Sequence, residues 1–170
     1  CDYARTKIQG RENHLLNDTG RRQELKLKLK LKDKKYDLCF LSPLTRCMET
    51  ALVSVGDRVR MISDDRLLER EVGEFEGRPD VEYNAYKYWD YDLNKSDFGV
   101  EPIQDVFKRC SDFLEYIKKE YPDKDIIAIA QGEEDAVAQV FFVRDGKVVG
   151  RDHFYLKVAR GDERALVLSS

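Results

Sequence analysis

The run DIIAIA, Asp125 to Ala130, decides the fold. Its apolar residues follow one another without polar alternation, so a strand here buries both faces, as in a parallel sheet covered by helices. Pro102 opens the element before it. Ile103, Val106, Phe107, Cys110, Phe113, Leu114, Ile117 and Tyr121 recur at helical spacing until Pro122-Asp123 ends the helix. After Gly132 the pattern changes. Ala136 to Val143 (AVAQVFFV) reads as a strand and Asp145-Gly146 as a two-residue hairpin turn. Lys147 to Val158 is the returning strand, and Ala165 to Leu168 a third.

Working back, Tyr36 to Leu41 (YDLCFL) is a short buried strand, and Val59 to Ser63 is a further short strand. Between them Ser42-Pro43 marks a helix start, with Ser as N-cap and Pro at the first helical position, and Gly56 marks its end after Val55. Strand, helix, strand, helix, strand argues an α/β body. The segment Cys1 to Thr19 is polar and turn-rich, with Gln9-Gly10 as a turn, Asn17 as a helix N-cap and Asp18 suited to the helix start. Gln23 to Lys35 carries two signals. Leu25, Leu27, Leu29 and Leu31 alternate with lysines at a strand period, but Leu, Lys, Glu and Gln are helix formers and nothing there is β-branched. Helix is the preferred reading and strand stays open. Arg66 to Gly77 is charged and glycine-punctuated. Asp80 to Asp92 is tyrosine-rich and holds Trp89.

With 170 residues, a single domain over 1–170 is expected, burying about two-thirds of its unfolded surface. A hydrophobic content of 42% with 4 Pro and 10 Gly excludes collagen-like and disordered chains. No run reaches the roughly 18 apolar residues of a membrane helix. The net charge of −3 gives no general attraction to nucleic acid or anionic lipid. The 4 cysteines, at positions 1, 39, 47 and 110, form no CxxC pair, which with no signal peptide reads as reduced thiols in a cytoplasmic protein. The chain begins at Cys1 and not Met, as a cropped or engineered product would.

Several fragments resemble the histidine phosphatase superfamily, the fold of the cofactor-dependent phosphoglycerate mutases. They are Ile8-Gln9-Gly10, Leu16 to Gln23 (LNDTGRRQ), Ser42-Pro43-Leu44-Thr45-Arg46, Arg66 to Arg70 (RLLER) with Gly73 to Gly77 (GEFEG), Gly99-Val100-Glu101 leading to Asp105 and Arg109, and the strand ending in Gly132. The resemblance implies a three-layer α/β/α sandwich over 1–132. It also implies roles. Arg46 is similar to the phosphate-clamping arginine, and Glu69 to the general acid that protonates the leaving oxygen. The family's second histidine falls at Gln131, which can donate a hydrogen bond but cannot shuttle a proton. The Arg-His-Gly motif of the family's first strand would lie just before this chain begins, so a first strand is expected to be missing.

Residues 133–170 resemble a different family. Glu133 to Arg144 (EEDAVAQVFFVR) and Asp145 to Leu156 (DGKVVGRDHFYL) are similar to UvrC, the nuclease subunit of bacterial nucleotide excision repair, outside its nuclease domain. The two resemblances meet near Asp125 to Gly132, as in a chimera joined at a shared strand and glycine. The C-terminal antiparallel hairpin is then expected to fill the vacancy in the sheet or extend it, with Val137, Val140, Phe142, Val148 and Phe154 as the residues to be covered.

For function, the first reading is a recombined scaffold without evolved activity, in which Arg46 holds phosphate or sulfate and Glu69 and Gln131 are vestigial. An impaired phosphatase or mutase, or one needing an upstream segment, is the second, and a DNA-repair-related binding module the third. No cofactor or metal is expected, since no Cys, His or Asp cluster shows ligand spacing. His14 reads as a solvated loop histidine with no evident carboxylate orienter, and His153 as a surface residue. Cys39 reads as core and Cys47 as inert. The lysines of 26–35 read as a solvated face, and the aromatic set Tyr83, Tyr86, Tyr88, Trp89 and Tyr91 as a cap on a core edge. In 133–170, basic Arg144, Lys147, Arg151, Lys157, Arg160 and Arg164 are offset by acidic Glu133, Glu134, Asp135, Asp145, Asp152, Asp162 and Glu163, which disfavours nucleic acid. Unpaired strand edges would leave a homodimer open.

Overall fold

The computed structural model describes residues 7–79, 83–131 and 135–157. Cys1, Gly132, Val158 and the strand expected at Ala165 to Leu168 lie outside the described residues. The elements are α1 (Asp18–Leu31), β1 (Leu38–Leu41), α2 (Thr45–Ser54), β2 (Arg60–Ser63), α3 (Ala85–Tyr88), α4 (Ile103–Glu120), β3 (Asp125–Gln131), β4 (Asp135–Arg144) and β5 (Lys147–Lys157). The sheet runs β2-β1-β3-β4-β5. β1 is parallel to β2 and to β3, with Leu38 opposite Ile126, while β4 is antiparallel to β3 and to β5. The hairpin therefore extends the sheet from the edge of β3, as expected for an α/β/α sandwich.

Two cores lie on the two sheet faces. Leu27 and Leu31 of α1 and Ala51 and Val55 of α2 pack on Cys39, Leu41, Ile127, Ile129, Ala138 and Val140. Phe113 and Ile117 of α4 pack on Leu38, Phe40, Ile126 and Val143. The unbroken apolar run at Ile126–Ile129 thus serves both faces. The hairpin belongs to both cores. Its turn residues Asp145 and Gly146 have φ of 49° and 66°, the left-handed pair of a type I′ turn. That turn is tied to the α4–β3 loop, because Gly146 N donates to Pro122 O at 3.2 Å and Asp145 N to the Asp123 carboxylate at 3.1 Å.

Several expectations change. Residues 18–31 are helix, and the leucines do not act together: Leu27 and Leu31 are buried, while Leu25 is 54% and Leu29 66% exposed. The inner stripe is Gly20, Gln23, Glu24, Leu27 and Leu31, a helical period that the period-two reading hid. Helix α2 begins at Thr45, not at Pro43; the Ser42 hydroxyl accepts from Leu44 N at 3.4 Å, ahead of the helix. In α4, Phe107 and Cys110 face outward although they share the apolar spacing, and Phe107 lies edge-on to Tyr91 instead. In the hairpin Val140 is buried and Phe142 half-buried, but Val148 is exposed, since β5 is the last strand of the described sheet. The side chains of Val137 and Phe154 lie outside the described set. Arg58 binds the two helix ends on one side of the sheet. It donates to Lys32 O at 2.8 Å, where α1 ends, and to Ser54 O at 3.0 Å and Val55 O at 3.2 Å, where α2 ends.

Val140 fills the core shared by the hairpin and the helices, so Val140→Ala is expected to cost about 2 kcal/mol. Far-UV circular dichroism and amide signals of β1 should report the same shifted denaturant midpoint. A second subgroup of structure is also testable through Glu24. It is buried in α1, its Oε2 has no hydrogen-bond partner among the described residues, and burial, reinforced by Glu49 and opposed by Arg21, lifts its carboxyl above the ordinary 4.5. A raised carboxyl favours the fold at low pH, and that contribution fades as pH rises through the folded-state value. Glu24→Gln should therefore stabilise at pH 7, by about 1 kcal/mol, and the gain should vanish at pH 4 in urea titrations.

Candidate active site

The carboxyl end of β1 delivers the chain directly into α2, and Arg46 lies in the first turn of that helix, 3% exposed. Its guanidinium points at the loop Gly10–Glu12, with Nη2 donating to Gly10 O at 2.9 Å and Nη1 to Glu12 O at 3.1 Å. The amides of the same loop go the other way. The Glu76 carboxylate accepts from Gly10 N at 2.7 Å, Arg11 N at 2.8 Å and Glu12 N at 3.4 Å. A cation on the carbonyls and an anion on the amides hold the loop from both sides. Gly10 is required there, because a Cβ would sit 2.6 Å from Glu76 Oε2, 2.7 Å from Val72 Cγ2 and 3.0 Å from Arg70 O. Asn13, the next residue, accepts from Thr45 N at 2.7 Å and so caps α2 from the loop.

Glu69 is exposed. Its carboxylate accepts from Arg70 N at 2.9 Å and its carbonyl from Arg11 Nε at 2.8 Å. Arg46 and Glu69 thus meet the same loop, Arg46 at Gly10 and Glu12, Glu69 at Arg11. Gln131 ends β3, in register with Ala136. Behind the loop sits Glu101, which takes Arg11 Nη2 at 3.0 Å and a forked grip from Arg109 at 2.8 and 3.2 Å. Burial works to raise the Glu101 carboxyl, but Arg109, Glu71 N–H and Arg11 together hold it below its ordinary range. Arg70 is buried against Glu101 O at 2.8 Å and Tyr88 O at 2.7 Å, with Trp89 over its guanidinium at 5.3 Å.

The sequence reading of His14 is corrected. Its Nε2 lies 2.7 Å from Glu12 Oε2, so a carboxylate two residues away does orient it, within a polar loop that carries no regular period. His153 is exposed on β5, opposite Gln139. Cys39 is core, and burial pushes its thiol up to about 12; Cys47 is buried and Cys110 exposed. Lys28 and Lys30 are exposed. Of the aromatic set, Tyr88 and Tyr83 stack at 4.9 Å and both meet Phe75, whereas Tyr86, Trp89 and Tyr91 are exposed. Among the described residues no group of three or more His, Cys, Asp or Glu is arranged to hold a metal, and no helix is long and apolar enough to cross a membrane. Sequence reasoning missed Glu76, Arg11 and Asn13 as loop anchors. Glu76 lay inside a quoted fragment, but nothing local shows that its partners are residues 10–12.

Known proteins fit this arrangement in two parts. The UvrC Ribonuclease H-like domain model matches residues 123–170. UvrABC system protein C of Lachnospira eligens is 55% identical over 47 residues, 28% of this chain and 8% of that protein. The uncharacterized phosphatase PhoE of Bacillus subtilis is 28% identical over 127 residues, 74% of this chain and 63% of that protein. The chain thus spans less than two thirds of either relative. Among solved structures, mycobacterial glucosyl-3-phosphoglycerate phosphatase superposes with a TM-score of 0.66 at 18% identity, covering 82% of this chain and 87% of that one. The alpha-ribazole phosphatase of Shigella flexneri gives 0.58 at 24% identity, covering 74% and 65%. At these identities the superpositions establish the fold. The family model matching residues 2–133 settles membership: the chain belongs to the histidine phosphatase superfamily (branch 1).

Proposed function

We propose that this chain carries the phosphate-holding part of a histidine-phosphatase site and that these 170 residues alone bind a phosphate group without turning it over. The observation that carries the reading is Arg46: a buried guanidinium in the first turn of a helix that follows a parallel strand, held beside a loop whose amides and carbonyls are already committed. A guanidinium fixed by the loop carbonyls carries a permanent positive charge that suits a phosphate dianion. A solved relative, mycobacterial glucosyl-3-phosphoglycerate phosphatase, is described in complex with inorganic phosphate. Turnover in the resembled chemistry passes through a histidine that accepts the phosphoryl group. The sequence contains no Arg-His-Gly, and Gln131 ends β3 where the second imidazole is expected. Glu69 supplies an exposed carboxylate near the loop, but an acid alone does not form a phosphoenzyme.

The overlap of the two family matches on 123–133 supports a recombined origin, with β3 as the shared element. A DNA-repair-related role is an alternative reading, favoured by the 55% identity to UvrABC system protein C. It predicts retention on DNA at low ionic strength that falls steeply with salt.

Inorganic phosphate titrated into the full chain and followed by 31P and amide NMR should bind, and Arg46→Gln, which keeps hydrogen-bond donors for the loop but no charge, should weaken binding about tenfold or more. 4-Nitrophenyl phosphate should not be hydrolysed. Hydrolysis by the parent that Arg46→Gln abolishes would overturn the inactive reading, and equal phosphate binding by parent and variant would overturn the Arg46 assignment.

A further inference from the structure

A cavity of about 430 Å³ opens between the turn Gly73–Phe75, α3 and the segment Lys95–Phe98. Its described lining includes none of Arg46, Glu69 or Gly10–Glu12. Phe75, Tyr88 and Phe98 form its apolar walls, and Phe75 meets the other two rings edge-on, with centroids 5.5 Å apart in each case. Phe98 stands at the opening, 53% exposed. Its φ of 57° and ψ of 24° lie in the left-handed region, which a bulky side chain rarely adopts.

The surroundings impose that backbone. Val72 and Val100 form an antiparallel bridge, and Glu101 N donates to Glu71 O at 2.9 Å. Gly73 approaches so closely that a Cβ on it would lie 2.1 Å from Phe98 O. The chain accepts strain to hold a half-exposed aromatic ring at the mouth of a cavity, where strained residues tend to serve recognition.

The rim is charged, and among its described residues three cations face two carboxylates. Arg78 pairs with Glu74 at 3.6 Å and Lys95 with Asp97 at 2.5 Å. Lys87 on α3 pairs with no carboxylate among the described residues, although it lines the same cavity. Among the described residues, one ammonium without a carboxylate partner therefore stands beside three aromatic walls. The volume falls within the range of roughly 300–1,000 Å³ typical of small-molecule sites.

We infer that this cavity binds a small aromatic ring carrying one carboxylate, the ring seated against Phe75 and Phe98 and the anion on Lys87. Aromatic walls favour a ring through edge-to-face contact over a saturated one of the same size, and the Lys87 ammonium selects the anion over its neutral analogue. The site is independent of phosphate binding at Arg46.

Benzoate titrated into the full chain tests this, with amide NMR as the readout. Tyr88 and Phe98 amides should shift saturably. Cyclohexanecarboxylate, equal in charge, and benzyl alcohol, equal in ring, should each bind about threefold more weakly or worse. Lys87→Ala and Phe98→Gly, the latter compatible with the left-handed backbone, should each weaken benzoate about threefold or more, whereas Lys28→Ala on α1 should not. Equal binding of benzoate and cyclohexanecarboxylate, indifference to Lys87→Ala, or no shift of these amides up to roughly 10 mM benzoate would overturn the assignment.

Discussion

A strand inside a sheet has two rows of backbone N–H and C=O groups, and each row needs a partner. In this protein the constraint falls on β3. Its first edge pairs in parallel with β1, Ile126 opposite Leu38, and its second pairs antiparallel with β4, Ile127 opposite Val140. Both faces are covered as well, by α1 and α2 on one side and α4 on the other. Neither the parallel strands nor the hairpin alone would satisfy such a strand. The family matches overlap on 123–133, which contains β3, so the two similarities meet on an element whose two edges serve different partners.

The join is sealed by packing and by loop contacts as well as by strand pairing. Ala138 and Val140 lie in one core with Leu27 and Leu31, so α1 roofs the hairpin that the UvrC-like residues supply. On the other face Val143 joins Phe113 and Ile117. Lys34 reaches Asp152 at 3.5 Å, an ion pair that crosses from one similarity region to the other, and Arg144 reaches Asp125 of the shared strand at 2.8 Å. Exposed pairs of this kind add little by themselves; burial of the apolar side chains is the larger stabilising contribution.

The same logic of opposed anchors builds the candidate site. A loop between polar segments would ordinarily be mobile. Here the Arg46 guanidinium takes its carbonyls and the Glu76 carboxylate its amides, and Glu101 holds Arg11 and Arg109 together behind it. Buried charges are tolerated because each faces several donors or acceptors at short range. The arrangement fixes the loop Gly10–Glu12 between a buried guanidinium and a carboxylate, with the backbone carbonyl of Glu69 held on Arg11.

Much of the architecture was legible in the residues themselves. The uninterrupted apolar run at Ile126–Ile129 announced a strand covered on both faces, the period of Phe113 and Ile117 announced α4, Asp145-Gly146 announced a hairpin whose turn needs positive φ twice, and Asn17 does cap α1 by accepting from Gly20 N at 2.9 Å. These features depend on neighbours within a few positions along the chain, and so local chemistry alone specifies them. Which leucines of α1 face inward, where α2 begins and what orients His14 did not follow, nor did the partners of Glu76, which accepts from an amide 66 residues away. Those outcomes depend on where distant segments come to lie. A buried side or a hydrogen-bond partner exists only once the sheet has brought them together.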